Sequence, residues 1–184
     1  MVIGLGYRAR SGKDTVAGIL RERHGFQHTA FAAKLKHAAK AVFGLSTEQC
    51  NDLPYKEEVD PFWGLTPRDI VQRMGTEAMR GTFGPDVWIR ALERTVTGYA
   101  VDWVISDVRF PNEAEAIQRW GGFVVRVSRR DDLRGTVGQP THASETALAG
   151  WRGWDYVIDN NGTLEDLEHG VRTMLLTEQY GNRS

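Results

Sequence analysis

Short apolar runs alternate with longer segments of helical periodicity along this chain. The first run, Val2–Gly6, lies next to the N-terminus, and residues 26–31 form a weaker one. Residues 103–105, 123–127 and 156–158 have the β-branched and aromatic density that is typical of buried parallel strands. We therefore predict five strands.

Apolar residues recur at helical spacing between these runs. In residues 14–23, for example, Val16, Ile19 and Leu20 fall on one face of a helix. Similar patterns predict helices over residues 33–43, 67–80, 86–97, 112–120 and 164–176. Because predicted strands and helices alternate, the chain is expected to form an α/β fold, with helices on both faces of a parallel sheet.

Two stretches interrupt this alternation. Residues 46–65 contain Pro54 and Pro61 in an irregular setting, and residues 128–141 contain three arginines, two glycines and Pro140. Loops of this length without periodicity are usually functional or disordered. We interpret both stretches as mobile loops or insertions over a site within one domain, and plain surface connections are the alternative.

Composition limits the classes of function. The chain has 184 residues, of which 41% are hydrophobic and 26% charged, as expected for a globular domain with a sizeable core. No apolar run approaches the roughly 20 residues of a membrane helix, and the first residues lack the features of a signal peptide. The single cysteine, Cys50, cannot form an intrachain disulfide. We therefore expect a cytoplasmic protein without a membrane partner.

The charge balance argues against a nucleic acid polymer as partner. The chain carries 23 basic and 24 acidic residues, for a net charge of -1, so it has no overall attraction for a polyanion. Eighteen of the 23 basic residues are arginine, however. Coding bias explains such a skew, but so does phosphate binding, because the arginine fork binds phosphate in a bidentate manner.

The strongest motif, GYRARSGKDT over residues 6–15, follows the first predicted strand. It approaches the phosphate-loop pattern GxxxxGK[ST], in which backbone amides, a helix N-terminus and a lysine, here Lys13, surround phosphate. The first glycine of the pattern is replaced by Tyr7, which costs energy if the position needs a positive φ. The hydroxyl residue after the lysine is replaced by Asp14, so Asp14 and Thr15 both remain candidate magnesium ligands.

The same glycines allow two other interpretations. Residues 4–9, GLGYRA, match the dinucleotide-binding pattern GxGxxA, which would indicate an oxidoreductase. Only residues 1–3 would then precede the pattern as a strand, no acidic residue ends the second strand near residues 29–32, and GKDT would have no role. A purely structural glycine-rich turn is the simpler alternative.

A second motif, DVRFPNE over residues 107–113, follows the third predicted strand. If that strand lies beside the first one, Asp107 can hold magnesium or its water, and Arg109 can point at phosphate. The motif alone is equally compatible with a turn capped by Asp107. Asn112 and Glu113 are also ordinary residues for a helix start.

Weaker candidates lie elsewhere in the chain. Lys36, Arg68 and Gln72 occur on predicted helices, where solvated side chains are the alternative to phosphate or base recognition. An arginine-bearing loop over residues 128–141 can close over a transferring phosphoryl group. His142 and Glu145 lack further ligands at useful spacing, which argues against zinc. Residues 160–165 form a turn into the last helix and supply either a helix cap or a contact to adenine.

Together these motifs resemble the phage-type deoxynucleoside monophosphate kinases over nearly the whole chain. The matching segments are residues 11–15, 72–77, 83–88, 107–113, 142–145 and 159–163. The resemblance implies a three-layer α/β/α P-loop kinase fold, with a five-stranded parallel sheet in the order 2-3-1-4-5. It also implies one domain over residues 1–184, with a helical NMP-binding insertion at about 46–98, a lid at about 128–145 and often a homodimer.

The resemblance further implies roles for individual residues. The ATP site would consist of Arg10, Ser11, Gly12, Lys13, Asp14, Thr15, Asn161, Gly162 and Thr163. The acceptor site would consist of Asp14, Lys36, Arg68, Gln72, Asp107, Arg109, His142 and Glu145. The catalytic residues would be Lys13, Arg10, Arg109 and the lid residues Arg130 and Arg134, and Mg²⁺ would meet Asp107, Asp14 or Thr15.

The expected reaction transfers the γ-phosphoryl group of ATP to a deoxynucleoside monophosphate and gives the diphosphate and ADP. It needs no protein nucleophile, because lysine, magnesium and arginines align two polyanions and offset their repulsion. Two alternatives remain open: another small-molecule P-loop kinase, such as one acting on dephospho-coenzyme A, and a nucleotide-binding sensor without catalysis.

Overall fold

The computed structural model describes residues 1–52, 54–98, 100–130 and 146–181. Its five strands are β1 (Val2–Gly6), β2 (Gln27–Thr29), β3 (Trp103–Val108), β4 (Phe123–Ser128) and β5 (Tyr156–Asp159). They form one parallel sheet in the order β2-β3-β1-β4-β5. The predictions of five strands and of the strand order 2-3-1-4-5 are both confirmed.

Helices cover both faces of the sheet. Ile3 and Leu5 of β1 pack into one core with the helices α1 (Lys13–His24) and α8 (Leu164–Gly181). The intervening Gly4 faces the other side, where a Cβ would lie 2.5 Å from Ile117 of α7 (Pro111–Arg119). This alternation along β1 confirms the three-layer arrangement.

The edge strands depart from the prediction of buried strands. All five residues of β1 are buried, whereas Ile158 is the only buried residue of β5, and Val157 is 62% exposed. β2 has no buried residue. The prediction for residues 156–158 was therefore wrong about burial, because an edge strand needs the same β-branched residues but is covered less completely.

The chain divides into two compact units, residues 1–30 with 96–184 and residues 31–95. The first contains the sheet. The second has a small core of its own, in which Ala39, Leu45, Cys50 and Ile70 are buried. Its elements are α2 (Ala32–Phe43), α3 (Thr47–Asn51), a 3₁₀ turn (Tyr55–Glu57), α4 (Pro67–Gln72), a π-helix (Arg73–Arg80), α5 (Gly81–Phe83) and α6 (Val87–Val96), which ends at the boundary.

Residues 46–65 are more regular than predicted. Ser46 accepts a hydrogen bond from the Gln49 amide at 3.1 Å, and the Gln49 side chain accepts one from the Ser46 amide at 2.8 Å. This reciprocal capping box starts α3, and its S-x-x-Q pattern was a readable signal in the sequence. Among the described residues, no helix combines the length and the apolar character that crossing a membrane requires.

Candidate active site

The loop between β1 and α1 has the left-handed backbone positions of a phosphate-binding turn. Gly12 has a φ of 104° and directly precedes α1, while Tyr7 and Arg10 have φ values of 100° and 63°. When left-handed and right-handed backbone conformations alternate, successive amide groups point to the same side, and this arrangement favours anion binding. The positive φ at Tyr7 carries the strain that the sequence predicted for a residue other than glycine.

Asn160, directly after β5, holds this loop in place. Its side-chain amide donates a hydrogen bond to the Ser11 carbonyl at 2.9 Å, and Ser11 is fully buried. A Cβ at Gly12 would clash with the Asn160 side-chain nitrogen, so a larger residue would have to displace the Asn160 side chain and would also carry the strain of the positive φ. Sequence reasoning missed the role of Asn160, because only the folded sheet brings it to the loop.

Lys13 begins α1 and reaches back over the same loop. Its Nζ donates hydrogen bonds to the Arg8 carbonyl and, at 3.5 Å, to the Ser11 hydroxyl. Both partners are neutral oxygen atoms, and these contacts hold the ammonium group over the loop. The loop therefore combines a lysine cation with a helix N-terminus, as phosphate binding requires.

The predicted magnesium ligands are oxygen donors near this loop. Asp14 and Thr15 are exposed in the first turn of α1, and Asp107 lies near the end of β3. Within the described ranges, no three His, Cys, Asp or Glu side chains converge on a metal position. The donors fit magnesium, which prefers oxygen and commonly takes one or two carboxylates together with substrate phosphates.

The end of β3 is irregular beside the loop. Gly4 pairs with Ile105 and Gly6 pairs with Val108, so β3 has two residues where β1 has only Leu5. This bulge includes Asp107, and bulges of this kind re-aim side chains next to active sites.

Glu113, which is 2% exposed, orders the turn that carries Arg109. Its carboxylate accepts hydrogen bonds from the amides of Arg109 and Phe110, at 2.8 and 3.1 Å. The Arg109 residue is exposed. Glu113 is thus a helix-start residue, as one alternative in the sequence predicted, and it positions the backbone of the predicted catalytic arginine.

The predicted acceptor residues Lys36, Arg68 and Gln72 belong to the second unit. Lys36 Nζ donates a hydrogen bond to Asn51 at 2.8 Å, and Arg68 forms an ion pair with Glu57 at 2.5 Å. Gln72 is partly buried and ends α4. Both cations therefore already have polar partners within their own unit.

The helix over residues 67–80 changes its hydrogen bonding at Arg73, where α4 continues as the π-helix. Gly75 packs closely there, since a Cβ would lie 2.5 Å from Leu35, and its carbonyl accepts a hydrogen bond from the Trp88 indole at 3.0 Å. Thr66 caps α4 by accepting a hydrogen bond from the Asp69 amide at 3.0 Å. Residues 72–77 and 83–88, two of the segments that resemble the kinase family, thus contact each other through Gly75 and Trp88.

The turn after β5 connects to the end of β4 and to α8. Asn161 accepts a hydrogen bond from the Arg130 amide at 2.7 Å, and Thr163 caps α8 by accepting one from the Asp166 amide at 3.2 Å. A Cβ at Gly162 would lie 2.4 Å from the Asp166 carboxylate. Hydrogen bonds from Thr163 lower the pKa of Asp166 below its ordinary value. These contacts are structural, and the adenine contact stays a prediction.

Three predicted site residues, Arg134, His142 and Glu145, lie outside the described residues, as does most of the predicted lid. The remaining candidates fall into two groups. In the first unit, Asp107 lies near the carboxyl end of β3, and the loop between β1 and α1, Arg109, Arg130 and residues 161–163 follow the carboxyl ends of strands, where ligands bind in open α/β sheets. The second unit carries Lys36, Arg68 and Gln72.

Comparison with known proteins agrees with this geometry. Residues 57–171 match the family model described as deoxynucleotide monophosphate kinase. A protein of Acanthamoeba polyphaga mimivirus named "Putative deoxynucleotide monophosphate kinase" is 35% identical to this chain, in an alignment that covers 90% of this chain and 91% of that protein.

Solved structures agree on the fold alone. Shikimate kinase from Bacteroides thetaiotaomicron has a TM-score of 0.55 at 12% identity, covering 97% of this chain and 98% of that one. TT1252 from Thermus thermophilus has a TM-score of 0.52 at 20% identity, covering 96% of each chain.

Proposed function

The chain belongs to the deoxynucleotide monophosphate kinase family, and from that premise we propose that it transfers the γ-phosphoryl group of ATP to a deoxynucleoside 5′-monophosphate. The observation that carries this proposal is the loop between β1 and α1. There a buried Ser11 and a left-handed Gly12 precede α1, and the Lys13 cation begins it. Mg²⁺, ATP and the cytoplasm as compartment belong to the same proposal.

In this reaction a phosphate oxygen of the acceptor forms a bond to the γ-phosphorus. The bond from that phosphorus to the bridging oxygen of ATP breaks, and ADP leaves with the electron pair. The acceptor is already an anion near neutral pH, so the chain's task is alignment and charge neutralisation. Lys13 and the loop amides bind the ATP phosphates, while Lys36 and Arg68 bind the acceptor phosphate.

Arg109 and the lid arginines Arg130 and Arg134 neutralise charge on the transferring group in this proposal. Asp14, Thr15 or Asp107 would hold Mg²⁺, which supplies charge neutralisation on phosphate oxygens when bound. The ordering of the Arg109 backbone by Glu113 supports this assignment, because a residue fixed before binding loses less entropy in the transition state.

A coupled ADP-release assay tests the proposal. ATP is mixed with each of a panel of deoxynucleoside and ribonucleoside monophosphates and, separately, with dephospho-coenzyme A. We expect release that depends on a deoxynucleoside monophosphate. Release only with dephospho-coenzyme A would instead identify a different small-molecule kinase. Nucleotide binding without release would indicate a sensor.

A further inference from the structure

Tyr7 occupies a position that normally suits glycine, and the structure shows what its ring contacts there. The backbone φ of 100° costs a residue with a Cβ on the order of 1–3 kcal/mol, which glycine would avoid. The guanidinium carbon of Arg126 lies 3.9 Å from the centroid of the Tyr7 ring, well within cation–π distance. The strained position thus presents an aromatic face to a cation.

Trp154 supports the ring from another direction. The two rings are nearly perpendicular, with an interplanar angle of 86° and centroids 6.2 Å apart. Trp154 also packs on Gly6, where a Cβ would lie 2.8 Å from the indole, and its Nε1 donates a hydrogen bond to the Trp151 carbonyl at 3.0 Å. Tyr7 is therefore held between a fixed indole and Arg126.

Arg126 lies at the carboxyl half of β4, directly beside the phosphate loop. It pairs in register with Gly6, the last residue of β1 before the loop. Its Nε is buried and has no hydrogen-bond partner, and among the described residues its side chain forms no ion pair. A buried guanidinium nitrogen without an acceptor is costly, so an anion bound beside the half-buried Arg126 would stabilise it.

A second cation adds to this anion preference. The guanidinium carbon of Arg8 lies 5.6 Å from the centroid of the same Tyr7 ring. Two arginines that share one aromatic ring raise the local positive potential. The forked edge of a guanidinium matches phosphate oxygens.

We propose that Arg126 is a further phosphate-binding residue of this kinase, and that Tyr7 is the platform that fixes its orientation. The inference rests on the proposed function, since it needs a nucleotide as ligand. The phosphate belongs either to ATP or to the acceptor monophosphate, and measuring the two affinities separately distinguishes these sources.

The test measures dissociation constants by titration calorimetry for ATP and for the common deoxynucleoside monophosphates, with the full chain. Arg126→Met should weaken binding of one of the two nucleotides about tenfold or more, a loss of about 1.4 kcal/mol. The affinity for the other nucleotide should stay within about threefold. The melting temperature should fall by less than about 2 °C, because among the described residues the deleted cation forms no ion pair.

Two controls separate binding from structure. Arg152→Met removes one exposed arginine from the segment that carries Trp154, and it should leave both affinities within about twofold. Tyr7→Phe keeps the ring and should keep both affinities. Tyr7→Gly removes the ring and should lower the affinity for the same nucleotide whose binding Arg126→Met weakens. Arg126→Lys, which keeps the charge but not the fork, should give an intermediate loss.

Unchanged affinities in Arg126→Met would overturn the inference and leave the proposed function standing. An equal loss for both nucleotides with a fall of more than about 5 °C in melting temperature would assign Arg126 a structural role and overturn it as well. If the wild-type chain binds neither nucleotide, the proposed function fails first, and this inference fails with it.

Discussion

Lys13, in the loop between β1 and α1, and Arg68, in the second unit, are both cations that the sequence predicted to bind phosphate. The two regions differ in what holds them in place. In the loop, backbone geometry is fixed by the left-handed Gly12 and by the hydrogen bond from Asn160 to Ser11. In the second unit, Arg68 is held by an exchangeable carboxylate, Glu57, and both side chains are more than a third exposed. Under the proposed function, the first region would be organised before ATP binds, whereas Arg68 would have to exchange Glu57 for the phosphate when the acceptor binds.

The largest effect on turnover is expected from substitution of Lys13 in the loop between β1 and α1. Lys13→Ala removes the cation at the loop and should reduce turnover by about 100- to 1000-fold or more, with the fold largely preserved. Steady-state ADP release and circular dichroism measure the two quantities. Near-normal ADP release from the folded variant would contradict the assignment of the loop.

The next largest effect is expected from Gly12→Ala, because this substitution disturbs the backbone of the loop itself. The new Cβ meets Asn160 in addition to the strain of the positive φ, so we expect a loss above about 1–2 kcal/mol in unfolding free energy and weaker ATP binding. Gly25→Ala at the other end of α1 is the matched control, since Gly25 also has a positive φ but no neighbour within 4 Å. Equal ATP affinities in the two variants would show that the loop is not preorganised.

Smaller and opposite effects are expected from the two sides of the Arg68–Glu57 pair. Arg68→Ala should raise the KM of the deoxynucleotide by about 10- to 100-fold without changing that of ATP, because it deletes a charged hydrogen-bond donor. Glu57→Gln should lower the same KM by about two- to fivefold, the range expected for releasing an exposed ion pair. A rise in KM in both variants would mean that the pair acts as one unit.

The smallest effect concerns acid stability of the turn that follows Asn160. Hydrogen bonds from Thr163 lower the pKa of the Asp166 carboxylate, so its contribution to stability is present above its ordinary pKa of 3.8 and is lost as the pH falls through the lowered folded value. Asp166→Asn should therefore flatten the melting temperature profile in that acidic range. An unchanged profile would show that the carboxylate does not stabilise the native turn.

Much of the fold was predictable from local pattern. β1 coincides with its apolar run, and the helix predicted over residues 14–23 is observed as Lys13–His24, because strand and helix periodicity are written into adjacent residues. The change from α4 to the π-helix at Arg73 was not predicted, since helical periodicity alone does not distinguish the two hydrogen-bonding patterns.

The residues that support the candidate site were harder to predict. Asn160 and Ser11 are 149 positions apart, and the stacking of Arg126 on Tyr7 joins two different strand ends. Such contacts depend on the order of strands in the sheet, which the residues do not display locally. The sequence predicted that Lys13 and Arg68 bind phosphate and that Tyr7 is strained. It did not identify the residues that contact these three side chains.

Under the proposed function, the loop between β1 and α1 positions the γ-phosphoryl group of ATP for transfer to a deoxynucleoside monophosphate. The most direct measurement supplies ATP labelled at the γ-phosphorus together with the acceptor and separates the products. We expect label in a deoxynucleoside diphosphate, in an amount equal to the ADP formed, and no labelled diphosphate with Lys13→Ala. Label found only in inorganic phosphate, or retained in ATP with every acceptor, would contradict it.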